Sequence, residues 1–265
     1  MKEVVVKVLH EALKKRKIKV LYDTIVKSTS IKDDEISIGL DVSPFTDNPK
    51  PRALKIESIK AQKMAVCIGR KALSSDLGLE HINVKTDSSG WIQANERLET
   101  SVKNIYAIGD ILGPDKVMLA HVASHEAVIA ANNAMGAKDI MNYDVIPGAI
   151  FTMPEIGTVG LSENQAKENG FHIKTFSMNF RTLGKAHAID EIAGMAKMII
   201  EKESQKILGV HIMGAHATDL IAEVTLAIQK GMTADDIAHT IHAHPTLAEI
   251  IGELSMKACD MAIHG

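Results

Sequence analysis

Ile105-Tyr106-Ala107-Ile108-Gly109-Asp110 is a short, almost wholly apolar run that ends on Gly-Asp and leads into a loop with Gly113-Pro114. Consecutive apolar residues bounded by turn residues read as a strand buried on both faces, as in a parallel sheet. The same grammar occurs upstream in Met64-Ala65-Val66-Cys67-Ile68-Gly69. Downstream, helical spacing runs from about Met118 to Met135, and Gly136 is placed to stop it in a left-handed conformation. Buried strands followed by a long helix predict α/β architecture here.

Further outward, Val6, Leu9 and Leu13 recur at helical spacing, and Lys14-Lys15-Arg16-Lys17 puts cations at the carbonyl-rich end of that helix. This basic run is a solvated terminus rather than a phosphate site. Three strand-like runs follow, Ile18 to Tyr22, Glu35 to Val42 and Ala53 to Ile59. Doubly wound nucleotide-binding domains open on a strand and a Gly-rich turn, whereas this chain opens on a helix. Past Pro147 the pattern becomes α+β. Ser162-Glu163-Asn164-Gln165 matches a capping box and Gly170 closes its helix, while Met195 to Lys202 and Ile207 to Met213 form a predicted hairpin. Helices are predicted over about Ala217 to Lys230 and Leu247 to Ala262, and a domain boundary near Tyr143 to Pro147.

The 265 residues suffice for about two domains. A net charge of -3 argues against general electrostatic binding to nucleic acid or an anionic membrane. Charges interrupt the first residues where a secretion signal needs an apolar run, and no stretch approaches the roughly 20 apolar residues of a membrane span. The two cysteines, Cys67 and Cys259, are too far apart in sequence for a CxxC motif and sit in apolar contexts that disfavour a thiolate. Together these features point to a soluble protein of a reducing compartment, the cytoplasm.

No two of the 18 glycines stand two apart, which excludes a G-x-G-x-x-G phosphate loop, and the P-loop pattern is absent as well. His239, His242 and His244, and the pair His121 and His125, invite a metal reading. Without H-E-x-x-H or a nearby cysteine, no metal site is expected.

The sharper pattern is His242-Ala243-His244-Pro245-Thr246-Leu247-Ala248-Glu249. Pro245 constrains the backbone beside His244 and has access to the cis form, and Thr246 is suited to cap a helix whose first turn carries Glu249. One reading is an imidazole at a helix entrance with a carboxylate that orients it, as a general base requires. The other is an ordinary Thr246–Glu249 capping box with His244 as a turn residue. Asp110 at a strand tip is likewise open to two readings, a hydrogen-bond acceptor for sugar-like hydroxyls or a turn residue.

Taken together, the segments Met64 to Arg70, Thr100 to Asp110, Met118 to His121, Pro154 to Glu163 and His244 to Glu249 resemble the C-terminal part of the flavin-dependent pyridine nucleotide–disulfide oxidoreductases. Within that family the dihydrolipoyl dehydrogenases are the most similar, with glutathione reductases sharing the His-Pro-Thr segment. The resemblance implies that residues 1–70 are the later part of an NAD-binding domain, 71–145 the later part of an FAD-binding domain, and 146–265 an interface domain that forms a homodimer. It implies that Asp110 holds the ribityl chain of FAD, that Met118, Leu119, Ala120 and His121 lie against the flavin with Pro245 on the same cofactor side, and that Val26 and Gly69 line the NAD site. It also implies that His244 is the acid/base, paired with Glu249 and acting on the dithiol site of the opposite subunit. The complete enzyme would reoxidise a lipoyl carrier protein of a 2-oxo acid dehydrogenase or glycine cleavage complex. The N-terminal FAD domain, its glycine loop and the redox cysteine pair have no counterpart in these 265 residues. The expectation is a C-terminal portion inactive alone, the alternatives a non-catalytic dimerising module or a fragment of a related disulfide reductase such as glutathione reductase.

Overall fold

A computed structural model describes residues 2–45 and 56–264. By Cα proximity the chain divides into two compact units, Leu13–Lys71 and Met1–Ala12 with Ala72–Gly265. The first helix, α1 (Lys2–Lys15), ends in the basic run as the charge pattern predicts.

In the smaller unit, β1 (Thr24–Lys32), β2 (Glu35–Val42) and β3 (Ser58–Ala61) form an antiparallel sheet in the order β1-β2-β3. Asp33 and Asp34, both with positive φ, make the two-residue connection between β1 and β2. That geometry matches the right-handed twist of paired strands. β2 falls where the apolar alternation placed it, and Ile38 and Leu40 are its buried residues. The other two runs differ from expectation. Ile18 to Tyr22 is not a strand, because Asp23 at φ 51 breaks the extended path and pairing begins at Thr24. Of Ala53 to Ile59, residues 53–55 lie outside the described residues, and the strand begins at Ser58.

Met64 to Gly69 is a clear correction. The segment is neither strand nor buried, and Ile68 is 94% exposed. A buried parallel strand needs hydrogen-bonded neighbours on both sides, and among the described residues no strand pairs with this one. Cys67 is consequently exposed, not embedded in an apolar setting.

Residues from Ala72 to Ile146 are largely irregular around one long helix, α2 (Ala120–Ala134). Ile105 to Asp110 is not a strand either: Tyr106 makes a single bridge to Glu99, and Gly109–Leu112 is a turn of 3-10 helix. Leu98, Ala107, Leu112, Val122 and Ile129 nevertheless pack into a core, so the apolar character of the run is used without strand pairing. Gly136, at φ +98, follows the end of α2 as expected.

The C-terminal part holds the larger core. β4 (Gly148–Ile150), β5 (Glu155–Gly160), β6 (Ile173–Asn179), β7 (Met195–Glu201) and β8 (Ile207–Gly214) pair antiparallel in the order β4-β5-β8-β7-β6. The expected hairpin is β7–β8. Helix α3 (Glu163–Glu168) begins at the Ser162–Gln165 capping box, and α4 (Gly184–Ala188) precedes β7. α5 (Ala217–Gln229) lies on β5 and β8, and α7 (Glu249–Ala258) on β6 and β7. Between them α6 (Ala234–Ala238), not foreseen from the sequence, starts at a second capping box, Thr233 with Asp236. Ile200, Ile212, Ile250 and Leu254 are wholly buried in the shared core. Each contributes about 2 kcal/mol from apolar burial. β5 and α5 approach so closely that a Cβ on Gly157 would sit 2.2 Å from the Ala217 carbonyl oxygen. The chain is thus an α/β portion followed by an α+β sheet domain, and no described helix is long and apolar enough to cross a membrane.

Candidate active site

α7 carries Glu249 at its first residue, and the segment before it turns at the cis His244–Pro245 bond. His244 Nδ1 lies 2.8 Å from Glu249 Oε1. The other carboxylate oxygen, Oε2, accepts the Thr246 N–H at 2.8 Å. The Thr246 hydroxyl donates to the Ala243 carbonyl instead of accepting from α7, and the helix is capped at Ala248 without a side-chain bond. The expected capping box is therefore only half made, and Glu249 serves cap and imidazole together.

The electrostatics suit an imidazole–carboxylate pair. The Glu249 side chain is 15% exposed, and burial alone would raise its pKa; the bonds from His244 and the Thr246 amide outweigh this and hold it below the usual range. The His244 side chain is 72% exposed. A carboxylate on Nδ1 selects the Nδ1–H tautomer and leaves the Nε2 lone pair facing outward. The pair opens on a cleft of about 360 Å³ bordered by Ile241, His242, Met256 and His264. His242, the first residue of the same motif, is engaged on both ring nitrogens, by Glu223 and by the Thr240 carbonyl.

Asp110 sits in the 3-10 turn, not at a strand tip. Gly109, at φ +73, brings this turn within close reach of α2, where an added Cβ would lie 3.2 Å from that of Ala123. A residue that sequence reasoning passed over fastens the arrangement. Glu126 of α2, essentially fully buried, accepts the Gly109 N–H at 2.6 Å with one oxygen and the Tyr143 hydroxyl at 2.6 Å with the other. Burial, and then the adjoining Glu126 carboxylate, push the Tyr143 phenol upward. An acid on the same helical face as Val122 and Ile129 was the available signal.

Met118 and Leu119 lead into α2, and Ala120 and His121 form its exposed first turn. His121 Nε2 meets the Pro147 carbonyl at 2.9 Å. Leu119 offers no side-chain cap and the first turn of α2 holds no acid. Val26 is an exposed residue of β1, and Gly69 lies in the irregular, exposed segment with nothing within 4 Å of an added Cβ. No strand pairing joins the two positions.

Comparison with known proteins identifies the family. Residues 1–127 match the family described as pyridine nucleotide-disulphide oxidoreductase, and residues 146–255 match its dimerisation domain. The chain belongs to the pyridine nucleotide-disulphide oxidoreductases. Its relatives include dihydrolipoyl dehydrogenases: that of Chlamydia muridarum is 45% identical over 75% of this chain and 42% of its own length. That of Geobacillus stearothermophilus is 37% identical over 97% of this chain and 51% of its own. The chain spans about half the length of the curated relatives it matches. In fold it is similar to LpdA from Mycobacterium tuberculosis, with a TM-score of 0.82 and 22% identity over 94% of this chain and 51% of that one. It is also similar to the HOCl-induced flavoprotein disulfide reductase RclA from Escherichia coli, with a TM-score of 0.82 and 19% identity over 94% and 54%.

Proposed function

We propose that this chain carries the acid–base and subunit-pairing portion of a flavin-dependent dihydrolipoyl dehydrogenase, which converts dihydrolipoamide and NAD to lipoamide and NADH. The observation that carries the proposal is the 2.8 Å bond between His244 Nδ1 and Glu249 Oε1 beneath an exposed ring. Nε2 of His244 takes the proton of a dihydrolipoyl thiol as the thiolate forms, and Glu249 holds the ring and stabilises the resulting imidazolium. The flavin, when bound, relays the electron pair from dithiol to NAD. In this reading Asp110, Met118, Leu119, Ala120, His121 and Pro245 are its contacts, and Val26 and Gly69 those of NAD. The domain division is 1–70, 71–145 and 146–265.

A homodimer formed through the last domain fits the large apolar side chains Phe151, Met153 and Ile241, which stand exposed on the single chain. The partner would be the lipoyl carrier protein of a 2-oxo acid dehydrogenase or glycine cleavage complex, in the cytoplasm. Cys67 and Cys259 do not replace a redox pair, since one is exposed, the other half-buried, and burial raises the Cys259 thiol.

The test is a chimera in which this chain replaces the matching half of the Geobacillus stearothermophilus relative. The chimera is expected to oxidise dihydrolipoamide, and His244→Gln to lower its kcat by about 10²–10⁴-fold; this chain by itself is expected to show no turnover. Equal turnover in the His244→Gln chimera overturns the proposal. A second reading, a non-catalytic pairing module, is favoured by the closed core of the sheet domain, and chimeric dimers without turnover would support it.

A further inference from the structure

Two residues before His244 lies a second imidazole–carboxylate pair of different character. The His242 side chain is 9% exposed and wedged between α5 and α7. Its Nε2 is 2.9 Å from Glu223 Oε1 on α5, and its Nδ1 is 2.9 Å from the Thr240 carbonyl oxygen. Both partners are acceptors, and a neutral imidazole has only one N–H to give. Satisfying both bonds requires the imidazolium. Glu223, then burial acting against it, set the direction of the His242 titration, which is net upward. The charged and titratable groups around this ring are Glu223 from α5, Glu249 and Glu253 from α7, His239 and His244 from its own segment, and His264 from the C-terminal tail.

The seat of the ring on α7 is a notch made by Gly252. A Cβ there would lie 2.6 Å from His242 Nδ1 and 3.0 Å from Cε1. Gly252 stands three residues after Glu249 on the same helix, so the point where His242 fastens the segment is adjacent to the point where His244 must arrive. His244 is exposed and takes its position from the backbone on either side. After it, Thr246 is tied to Glu249 and Ala243. Before it, the fastening is His242.

We propose that His242, held by Glu223 in the Gly252 notch, is the positioning residue of the His244–Glu249 pair, a role that rests on reading that pair as the acid–base site. A fixed charge bolts the segment to the helix that carries the carboxylate, and the Nδ1–H tautomer of His244 depends on that bolt.

The experiment is nitrogen NMR of the full chain labelled with ¹⁵N-histidine, with His242 and His244 assigned by single His→Gln variants. In the unaltered chain, His242 is expected to keep both nitrogens protonated to higher pH than an exposed histidine, and the neutral ring of His244 to hold its proton on Nδ1. Glu223→Gln should remove the second proton of His242 at neutral pH and turn His244 into a mixture in which the Nε2–H form predominates. Gly252→Ala should produce the same loss at His244 by displacing the ring without altering any polar group. His244 retaining its Nδ1–H form in either variant, with the fold intact by circular dichroism, overturns the proposal. Where a variant fails to fold, the unaltered chain still decides: His242 titrating like an exposed histidine overturns it. Because the readout is a tautomer, a chimera that lacks turnover while His244 still depends on His242 would sink the catalytic reading alone.

Discussion

β7 and the segment Met64 to Gly69 are runs of similar apolar character with opposite fates. In β7, Ala196, Met198, Ile199 and Ile200 have no exposed surface, whereas Val66 and Ile68 of the other run lie open to solvent. β7 is hydrogen-bonded by β8 on one side and β6 on the other, and α7 packs on it; no described strand flanks Met64 to Gly69. Apolar composition qualifies a segment for burial, but the neighbours that satisfy its backbone decide whether burial occurs.

The sharpest way to break this contrast is truncation in the buried strand. Ile200→Ala should cost about 2–5 kcal/mol in urea unfolding followed by circular dichroism, and a cost below about 1 kcal/mol would mean that β7 is not the core strand described above. Next comes acid. His211 of β8 is buried, which depresses its pKa to about 4 against the favourable bond from Nε2 to the Leu161 carbonyl, and its Nδ1 has no partner. Between pH 6.5 and 4 the unfolded chain binds a proton there that the folded chain does not, so stability falls as pH falls through this window. The loss attributable to His211 approaches about 3 kcal/mol below pH 4. His211→Leu should flatten that part of the stability profile, and an unchanged slope would assign the acid sensitivity elsewhere. The smallest effect is expected on the exposed side: Ile68→Ser should shift stability by no more than about 0.5 kcal/mol. A cost matching that of Ile200→Ala would show that the segment is covered in solution.

What was legible in the sequence was local. β2, the β7–β8 hairpin, the Ser162 capping box and the Gly136 stop each depend on residues a few positions apart. The His244–Glu249 pair belongs with them, five residues apart and joined across a single turn. Two apolar runs that read as strands failed because strand formation depends on distant partners. β1, TIVKSTSIK, escaped notice because its exposed face leaves little apolar alternation to detect. Glu126 meets Gly109 and Tyr143 each across 17 positions, and Glu223 meets His242 across 19. Neither spacing carries a local signature. The Thr246 cap failed for a different reason: the helix starts two residues later than a Thr246 cap requires, with Ala248 as its N-cap, and the Thr246 hydroxyl donates to the Ala243 carbonyl.

α5 follows His216, an N-cap residue in a left-handed conformation that supplies no side-chain cap. Its opening turn is satisfied from outside. Glu155 of β5 accepts both the N–H and the hydroxyl of Thr218 across 63 positions. Strand and helix therefore complete one another: beside its own Asp219, the first turn of α5 takes a second carboxylate from a strand far upstream. The longest helix of the sheet domain is in this sense pinned at its start by the sheet it covers, so that its opening turn registers whether β5 is in place.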